Sequence, residues 1–169
     1  MDSTIGINLL QATQFLVILL TGLVAGLFYG YDCSVVKGLG LLKDEAYLQS
    51  FQHINSVIQR PYFFVSFMGS LLLLPVASWL NYYNGNYTAF YLLLAATLIY
   101  FIGVFGVTIA FNVPLNEKLD QFNINTATAS AIADMRSMFE APWKRYNSTR
   151  TAASVLAFVL TIFSLLKEK

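Results

Sequence analysis

The sequence predicts an all-α integral membrane protein, a four-helix bundle with two additional amphipathic helices in the connections after spans one and three. Hydrophobic residues make up 57% of the 169 residues and charged residues 11%, whereas about 25% of a soluble domain is charged. No Asp, Glu, Lys or Arg occurs from Pro61 to Asn116 or from Ser3 to Tyr31. So few charges cannot cover a water-exposed surface, and the length predicts a single membrane domain over residues 1–169.

Four segments are apolar over about the 20 residues that a helix needs to cross the hydrocarbon core. They lie at about residues 8–31, 61–80, 87–111 and 149–166. The fourth is short, but it can continue from a helix that starts outside the core. An Asn-Gly turn joins the second and third spans.

The two longer connections carry apolar residues at helical spacing, which predicts an amphipathic helix in each. The first is residues 43–59, with Phe51, Ile54, Val57 and Ile58 on one face. The second is residues 126–150, with Ile132, Met135, Phe139 and Trp143. Pro142 is expected to kink or restart this second helix.

The distribution of basic residues predicts the orientation in the cell membrane. Eight of the ten Lys and Arg residues lie in the connections after spans one and three. Both long connections should therefore be cytoplasmic, and both termini should lie outside. The apolar run at the N-terminus has no preceding Lys or Arg and no small-residue cleavage site, so we expect the first span to be retained.

Gly22, Gly26 and Gly30 recur every four residues in the first span. This spacing puts them on one helix face and predicts close helix packing within the bundle. A dimer interface is the alternative.

The composition also argues against several partners and cofactors. No basic stripe is present to neutralise phosphates, so no nucleic acid is expected. Cys33 and His53 are the single cysteine and the single histidine. They exclude an intramolecular disulfide and an ordinary zinc or di-iron site, so neither a metal nor another cofactor is expected. A haem ligated by His53 is a minor alternative.

A first polar cluster, Asn112-Val-Pro114-Leu-Asn116, follows directly after an apolar run. The asparagines share a helix face, and Pro114 frees a backbone carbonyl in the preceding turn. Because an amide both donates and accepts, the cluster suits either a helix-end cap or the floor of a polar pocket.

A second cluster, before Pro61, is polar but almost uncharged and includes Gln52, His53 and Asn55. Uncharged amides indicate contact with protein or with a buried ligand. His53 is a candidate general base, and the alternative is a structural histidine.

Trp143, Asn147 and Arg150 form a third cluster, on one helical stripe. An arginine that enters the membrane needs a partner, and Asp32 at the end of the first span is a candidate. The alternative is a snorkelling arginine beside an interfacial tryptophan.

Three stretches resemble the anthrone oxygenase-like family of small four-span membrane proteins: FQHINSVIQRPYF, GVFGVTIAFNVPLNEKLD and FEAPWKRYNSTRTAAS. His53 falls at no fixed position of that family, and most bacterial members have no known substrate. The matching positions are Gln52, Asn55, Asn112, Pro114, Asn116, Trp143, Asn147 and Arg150.

The resemblance implies a cofactor-independent oxygenase for a flat aromatic or quinol-like substrate. Asn112, Asn116 and Arg150 would donate to an oxyanion, Trp143 would stack on the substrate, and His53 or Asp32 would be the base. The alternative is a non-enzymatic protein that binds a quinone or lipid, or an accessory subunit of a membrane complex. Membrane lipid, an aromatic or quinone ligand, and a homo-oligomer or larger complex are thus the expected partners.

Overall fold

The computed structural model describes residues 8–167, in which five long helices, a short 3-10 helix at Ile124–Thr126 and no strand occur. Four of the helices are long and apolar enough to cross a membrane, which confirms the predicted all-α membrane helical bundle. The helices are α1 (Leu9–Gly40), α2 (Asp44–Ile58), α3 (Pro61–Tyr83), α4 (Tyr87–Asp120) and α5 (Ala129–Leu165).

Local sequence explains where several helices begin. Asn8 and Gln11 form a capping box at the start of α1, in which the Gln11 backbone N–H donates to Asn8 Oδ1 at 2.9 Å. Pro61 occupies the first turn of α3, where its missing N–H costs nothing. Gly85 adopts a φ of 76° in the turn between α3 and α4, a conformation that favours glycine.

The long helices pack in a ring, since α1 and α4 each contact both α3 and α5. Their shared core includes Val17, Leu74, Leu93 and Ala157, all fully buried or nearly so. At the end of the bundle where α1 begins and α5 ends, the buried Asn81 Nδ2 donates to Ala77 O at 2.9 Å, and Asn81 Oδ1 accepts from Gln14 at 3.4 Å.

Both predicted amphipathic segments are helical, but the second is not a separate helix. It is the first half of α5, which runs without interruption through Pro142 for 37 residues. Phe139 and Trp143 pack against Phe51 of α2 on either side of the proline, and this packing offsets the lost hydrogen bond. A helix of 37 residues is about 55 Å long, so one end of α5 extends well beyond a hydrocarbon core of about 30 Å.

Three wide, π-helical segments interrupt the α-helices, and the sequence pattern did not predict them. They are Tyr31–Val35 in α1 and Tyr100–Gly106 and Thr108–Asn112 in α4. Such segments are rare and frequently mark functional sites.

The glycine face of α1 is only partly packed. A Cβ on Gly22 would lie 2.9 Å from the Phe158 ring, whereas one on Gly26 or Gly30 would meet nothing within 4 Å. The prediction of close packing within the bundle is therefore wrong for Gly26 and Gly30, which lie where α1 faces away from its neighbours.

Candidate functional site

A cavity of about 380 Å³ lies at the end of the bundle where α1 and α4 lead into the long connections. All five helices contribute to its wall. Its volume falls in the range of about 300–1,000 Å³ that is typical of small-molecule sites. Among the lining residues are six from the predicted binding set: Asn55, Asn112, Asn116, Trp143, Asn147 and Arg150.

One stripe of polar side chains on α4 faces this cavity. It consists of Thr108, Asn112, Asn116 and Asp120, each four residues after the last. Asn112 is fully buried, and neither its Oδ1 nor its Nδ2 has a hydrogen-bond partner. It forms no side-chain cap on the segment that follows. The cap interpretation therefore does not hold for Asn112, and its amide remains free to bind a ligand.

Arg150 lies opposite this stripe and is 7% exposed. Its Nη2 donates to Asn147 Oδ1 at 2.8 Å, and its Nη1 donates to Thr108 Oγ1 at 3.4 Å. The buried Nε has no partner. The guanidinium carbon lies 4.5 Å from the Phe28 ring centre and 5.7 Å from that of Trp143. The arginine is thus held by aromatic groups, an amide and a hydroxyl, and its Nε–H donor is left unpaired.

Asp32 is the candidate partner that the sequence indicates for Arg150, but the two side chains do not form a direct ion pair. Among the ion pairs of the described residues, none involves either side chain. Asp32 Oδ1 instead accepts from Asn147 Nδ2 at 2.7 Å and from Ser148 Oγ at 3.2 Å. The carboxylate is therefore linked to the arginine through an amide, and Asp32 itself is not part of the cavity wall.

Trp143 forms a fixed aromatic wall. Its Nε1 donates to Asn116 Oδ1 at 2.8 Å. Its ring centre lies 4.9 Å from that of Phe51 and 6.4 Å from that of Tyr31. These contacts hold the indole ring in place, so that it forms a rigid part of the cavity wall.

Helix α2 covers the cavity through its amides. Asn55 lines the cavity and donates to Asp120 Oδ1 at 3.2 Å. Gln52 lies outside the cavity and donates to the backbone oxygens of Leu119 and Phe122 at 2.8 and 2.9 Å. Gln52 thus ties α2 to the end of α4 and does not line the cavity.

His53 points away from the cavity. It is exposed and lies in a second surface depression, which shares Asp120 with the cavity wall and is otherwise lined by side chains such as Gln49 and Gln52. The structure therefore places His53 beside Gln52 but not among the predicted site residues that line the cavity.

Two carboxylates that the sequence analysis missed do line the cavity: Glu117 and Asp120. Both are exposed at its mouth. Asp120 could have been found from the sequence, because it continues the four-residue spacing of Asn112 and Asn116. Among the described residues, no group of three or more His, Cys, Asp and Glu side chains is arranged to hold a metal ion.

Arg136 anchors the start of α2 over the site. It donates to the backbone oxygens of Gly40 and Leu42 at 2.9 and 2.7 Å, and it pairs with Asp44 at 2.9 Å. Its guanidinium carbon lies 4.4 Å from the Tyr47 ring centre. Burial raises the pKa of the Tyr47 hydroxyl, which has no hydrogen-bond partner, so this phenol remains protonated at ordinary pH.

Comparison with known proteins identifies the family. A family model described as anthrone oxygenase matches residues 63–160, more than half of the chain. The matched region contains every cavity residue of α4 and α5, but it includes neither α2 nor Asp32. No curated protein and no solved structure gives a significant match. Because the family model covers most of the bundle, the chain belongs to the anthrone oxygenase family.

Proposed function

We propose that the cavity binds a flat aromatic compound with a ketone or phenol oxygen and catalyses its oxidation by O2 without a cofactor. One observation carries this proposal. Asn112 Oδ1, Asn112 Nδ2 and Arg150 Nε are buried polar atoms without partners, and both residues line the cavity. Leaving such a group unpaired costs about 1–3 kcal/mol, so a ligand that pairs with them gains this amount.

The free groups suit an oxygen that becomes negative during the reaction. Arg150 Nε and Asn112 Nδ2 are donors, and Arg150 brings a positive charge that forms no ion pair with a carboxylate of residues 8–167. Donors fixed in a water-poor site stabilise a developing oxyanion more strongly than water does. Trp143 and Phe28 would hold the rings of the substrate beside the guanidinium.

An anthrone fits this arrangement chemically, because its central ring has a ketone opposite a CH2 group. Removal of one CH2 proton leaves an enolate whose charge lies on the ketone oxygen. The enolate passes an electron to O2, the resulting carbon radical and superoxide combine, and uptake of a proton gives a hydroperoxide. Loss of water from the hydroperoxide leaves a second ketone. One anthrone and one O2 thus yield one anthraquinone and one water.

We propose Asp120 as the base that removes the CH2 proton. It lines the cavity, whereas His53 and Asp32 do not. Asp120 lies eight residues after Asn112, which corresponds to about 12 Å along a helix. A tricyclic substrate whose oxygen meets Asn112 and Arg150 would therefore extend its far edge toward this carboxylate.

The second candidate is a protein that binds a quinone or lipid without chemistry, alone or as a subunit of a membrane complex. It is favoured by the exposure of both cavity carboxylates, Glu117 and Asp120, since a buried base of raised pKa would suit catalysis better. The same donors would hold a quinone carbonyl.

Oxygen uptake separates the two functions. Purified protein in lipid nanodiscs is mixed with a hydroxylated anthrone, and O2 consumption and anthraquinone formation are followed. An oxygenase consumes both substrates in equal amounts and loses the activity in Arg150→Gln. Arg145→Gln is the matched control, because Arg145 is exposed on the same helix and does not line the cavity. Binding of a hydroxyanthraquinone without any oxidation of the anthrone would favour the second candidate.

We also propose that the cavity end of the bundle faces the cytoplasm and that both termini lie outside, on the basis of the Lys and Arg distribution. Single cysteines at Asn84 and Gln121, in a Cys33→Ser background, would be labelled with a membrane-impermeant maleimide in intact cells. The Asn84 variant should react at once and the Gln121 variant only after lysis. The reverse pattern would overturn this orientation.

A further inference from the structure

We infer that the cavity takes its ligand from the lipid bilayer, through a lateral opening between α3 and α4. This route selects a lipophilic and uncharged ligand, and the flat aromatic shape and the negative charge acquired at Arg150 come from the proposed function. The identity of the ligand as an anthrone rests on the proposed function, but the opening itself does not.

The side wall of the cavity is formed by residues that face lipid. Phe64 of α3 and Ile109 of α4 both line the cavity, yet they are 44% and 50% exposed. The cavity thus connects the buried polar atoms of Asn112 and Arg150 with the outer apolar surface of the bundle.

These two residues lie below the membrane surface. Arg60 and Glu117 are the first charged residues on either side of the charge-free stretch 61–116, and they mark the polar edge of the bundle. Phe64 lies one turn inside Arg60, about 6 Å along the helix axis, and Ile109 lies about 12 Å inside Glu117. An opening at this depth meets acyl chains and not water.

Helix packing explains why the opening exists. Helices α3 and α4 pack closely over Tyr87–Ile99 and only sparsely beyond it. Tyr100, whose hydroxyl donates to Phe67 O at 2.9 Å, and Phe105, whose ring centre lies 6.0 Å from that of Phe67, are the last links. Beyond them the π-helical segment Thr108–Asn112 begins, and the cavity occupies the space between the two helices.

Fluorescence of Trp143 tests the opening without any assumption about catalysis. The chain has two tryptophans, and a Trp79→Phe variant leaves only Trp143, which lines the cavity and is 5% exposed. The protein is reconstituted in nanodiscs of phosphatidylcholine brominated along the acyl chain, or of the unbrominated lipid. We expect brominated lipid to remove most of the Trp143 emission, because an acyl chain enters the empty cavity from the side.

A pair of variants shows whether this quenching passes through the opening. Ile109→Phe should narrow it and restore the emission several-fold. Leu98→Phe is the matched control, because Leu98 lies on the same helix with 53% exposure but does not line the cavity. It should leave the quenching unchanged, and an equal effect of both variants would overturn the inference.

The alternative route is from water, past Glu117 and Asp120. Quenching of Trp143 by iodide in solution together with no quenching by brominated lipid would overturn lateral entry.

A hydroxyanthraquinone added in unbrominated lipid tests the ligand separately, since its binding also quenches Trp143. Quenching by brominated lipid without binding of the hydroxyanthraquinone would support the opening and contradict the proposed function. Binding of the hydroxyanthraquinone without quenching by brominated lipid would support the proposed function and contradict the lateral opening.

Discussion

Asp32 and Arg150 are opposite charges that communicate through the amide of Asn147 and not through an ion pair. Asn147 Nδ2 donates to Asp32 Oδ1 at 2.7 Å, and Asn147 Oδ1 accepts from Arg150 at 2.8 Å. An amide is suited to this position because it donates on one side and accepts on the other. The positive charge of Arg150 therefore remains available to the cavity, because the Asn147 side chain separates it from the Asp32 carboxylate.

Asn147→Leu should therefore destabilise the protein by several kcal/mol. It removes one hydrogen bond from the Asp32 carboxylate and one from the Arg150 guanidinium. Each loss costs about 1–3 kcal/mol, or more because both groups are charged. Thermal unfolding in detergent measures the effect. Ser148→Ala is the control, because it removes only the second donor to Asp32, at 3.2 Å, and should cost about 1 kcal/mol or less. Equal losses in the two variants would contradict the bridging role.

Asn112→Leu should leave the ligand-free protein as stable as before or stabilise it. The structure shows no hydrogen bond between Arg150 and Asn112, so this substitution leaves no further donor of Arg150 unsatisfied. Replacing an unpaired buried amide by an apolar group of similar shape is neutral or favourable. Binding of a hydroxyanthraquinone should nevertheless be lost.

Asn81→Leu is the matched comparison for Asn112→Leu, because Asn81 is also fully buried but is hydrogen-bonded to Ala77 and Gln14. It should lower the free energy of unfolding by about 1–3 kcal/mol. If Asn112→Leu melts as early as Asn81→Leu, the amide of Asn112 has a structural partner, and the main support for the binding site is lost.

Asp120→Asn should slow anthraquinone formation by about 10²-fold or more, because general-base catalysis contributes roughly 10²–10⁴-fold. His53→Ala should leave the rate unchanged, since this side chain lies outside the cavity. Initial rates in nanodiscs measure both. If the rate falls strongly in His53→Ala and does not change in Asp120→Asn, then His53, which the sequence indicated as a candidate, is the base and Asp120 is not.

Glycine substitutions should distinguish the packed from the open helix faces. A Cβ on Gly103 would lie 2.7 Å from Ala153 Cβ, and one on Gly26 would meet nothing within 4 Å. Gly103→Ala should therefore cost about 1–3 kcal/mol through overpacking. Gly26→Ala should be neutral or stabilise by up to about 1 kcal/mol, because alanine favours a helix. A loss of stability in Gly26→Ala would reveal a partner on that face, as in a dimer.

The sequence was sufficient to predict the spans, which follow from long charge-free runs, and six of the residues that line the cavity, most of which follow from regular spacing. The charge-free runs predicted four membrane helices, and the stripes at Asn112/Asn116 and Trp143/Asn147/Arg150 predicted which side chains converge. Spacing is informative here because polar residues cannot face lipid, so a stripe must face the interior.

Details that depend on tertiary contacts could not be predicted. The helix through Pro142 persists because Phe139 and Trp143 pack on α2, and no local pattern shows that packing. Asp32 and Arg150 were correctly expected to be near each other, but an intervening amide cannot be inferred from charges alone. His53 was considered as a base because of its chemistry, whereas its exposure depends on how α2 rotates over the bundle.

Because of the two π-helical segments in α4, the direction in which Asn112 points depends more on the number of residues in this helix than on their types. Tyr100–Gly106 lies between the tightly packed half of the helix and the polar stripe, and Thr108–Asn112 contains the first two residues of the stripe. Each residue advances a helix by about 100°, so losing or gaining one here would turn Asn112 from the cavity toward the acyl chains. Related sequences that keep the site should therefore differ in this segment by replacement and not by insertion or deletion.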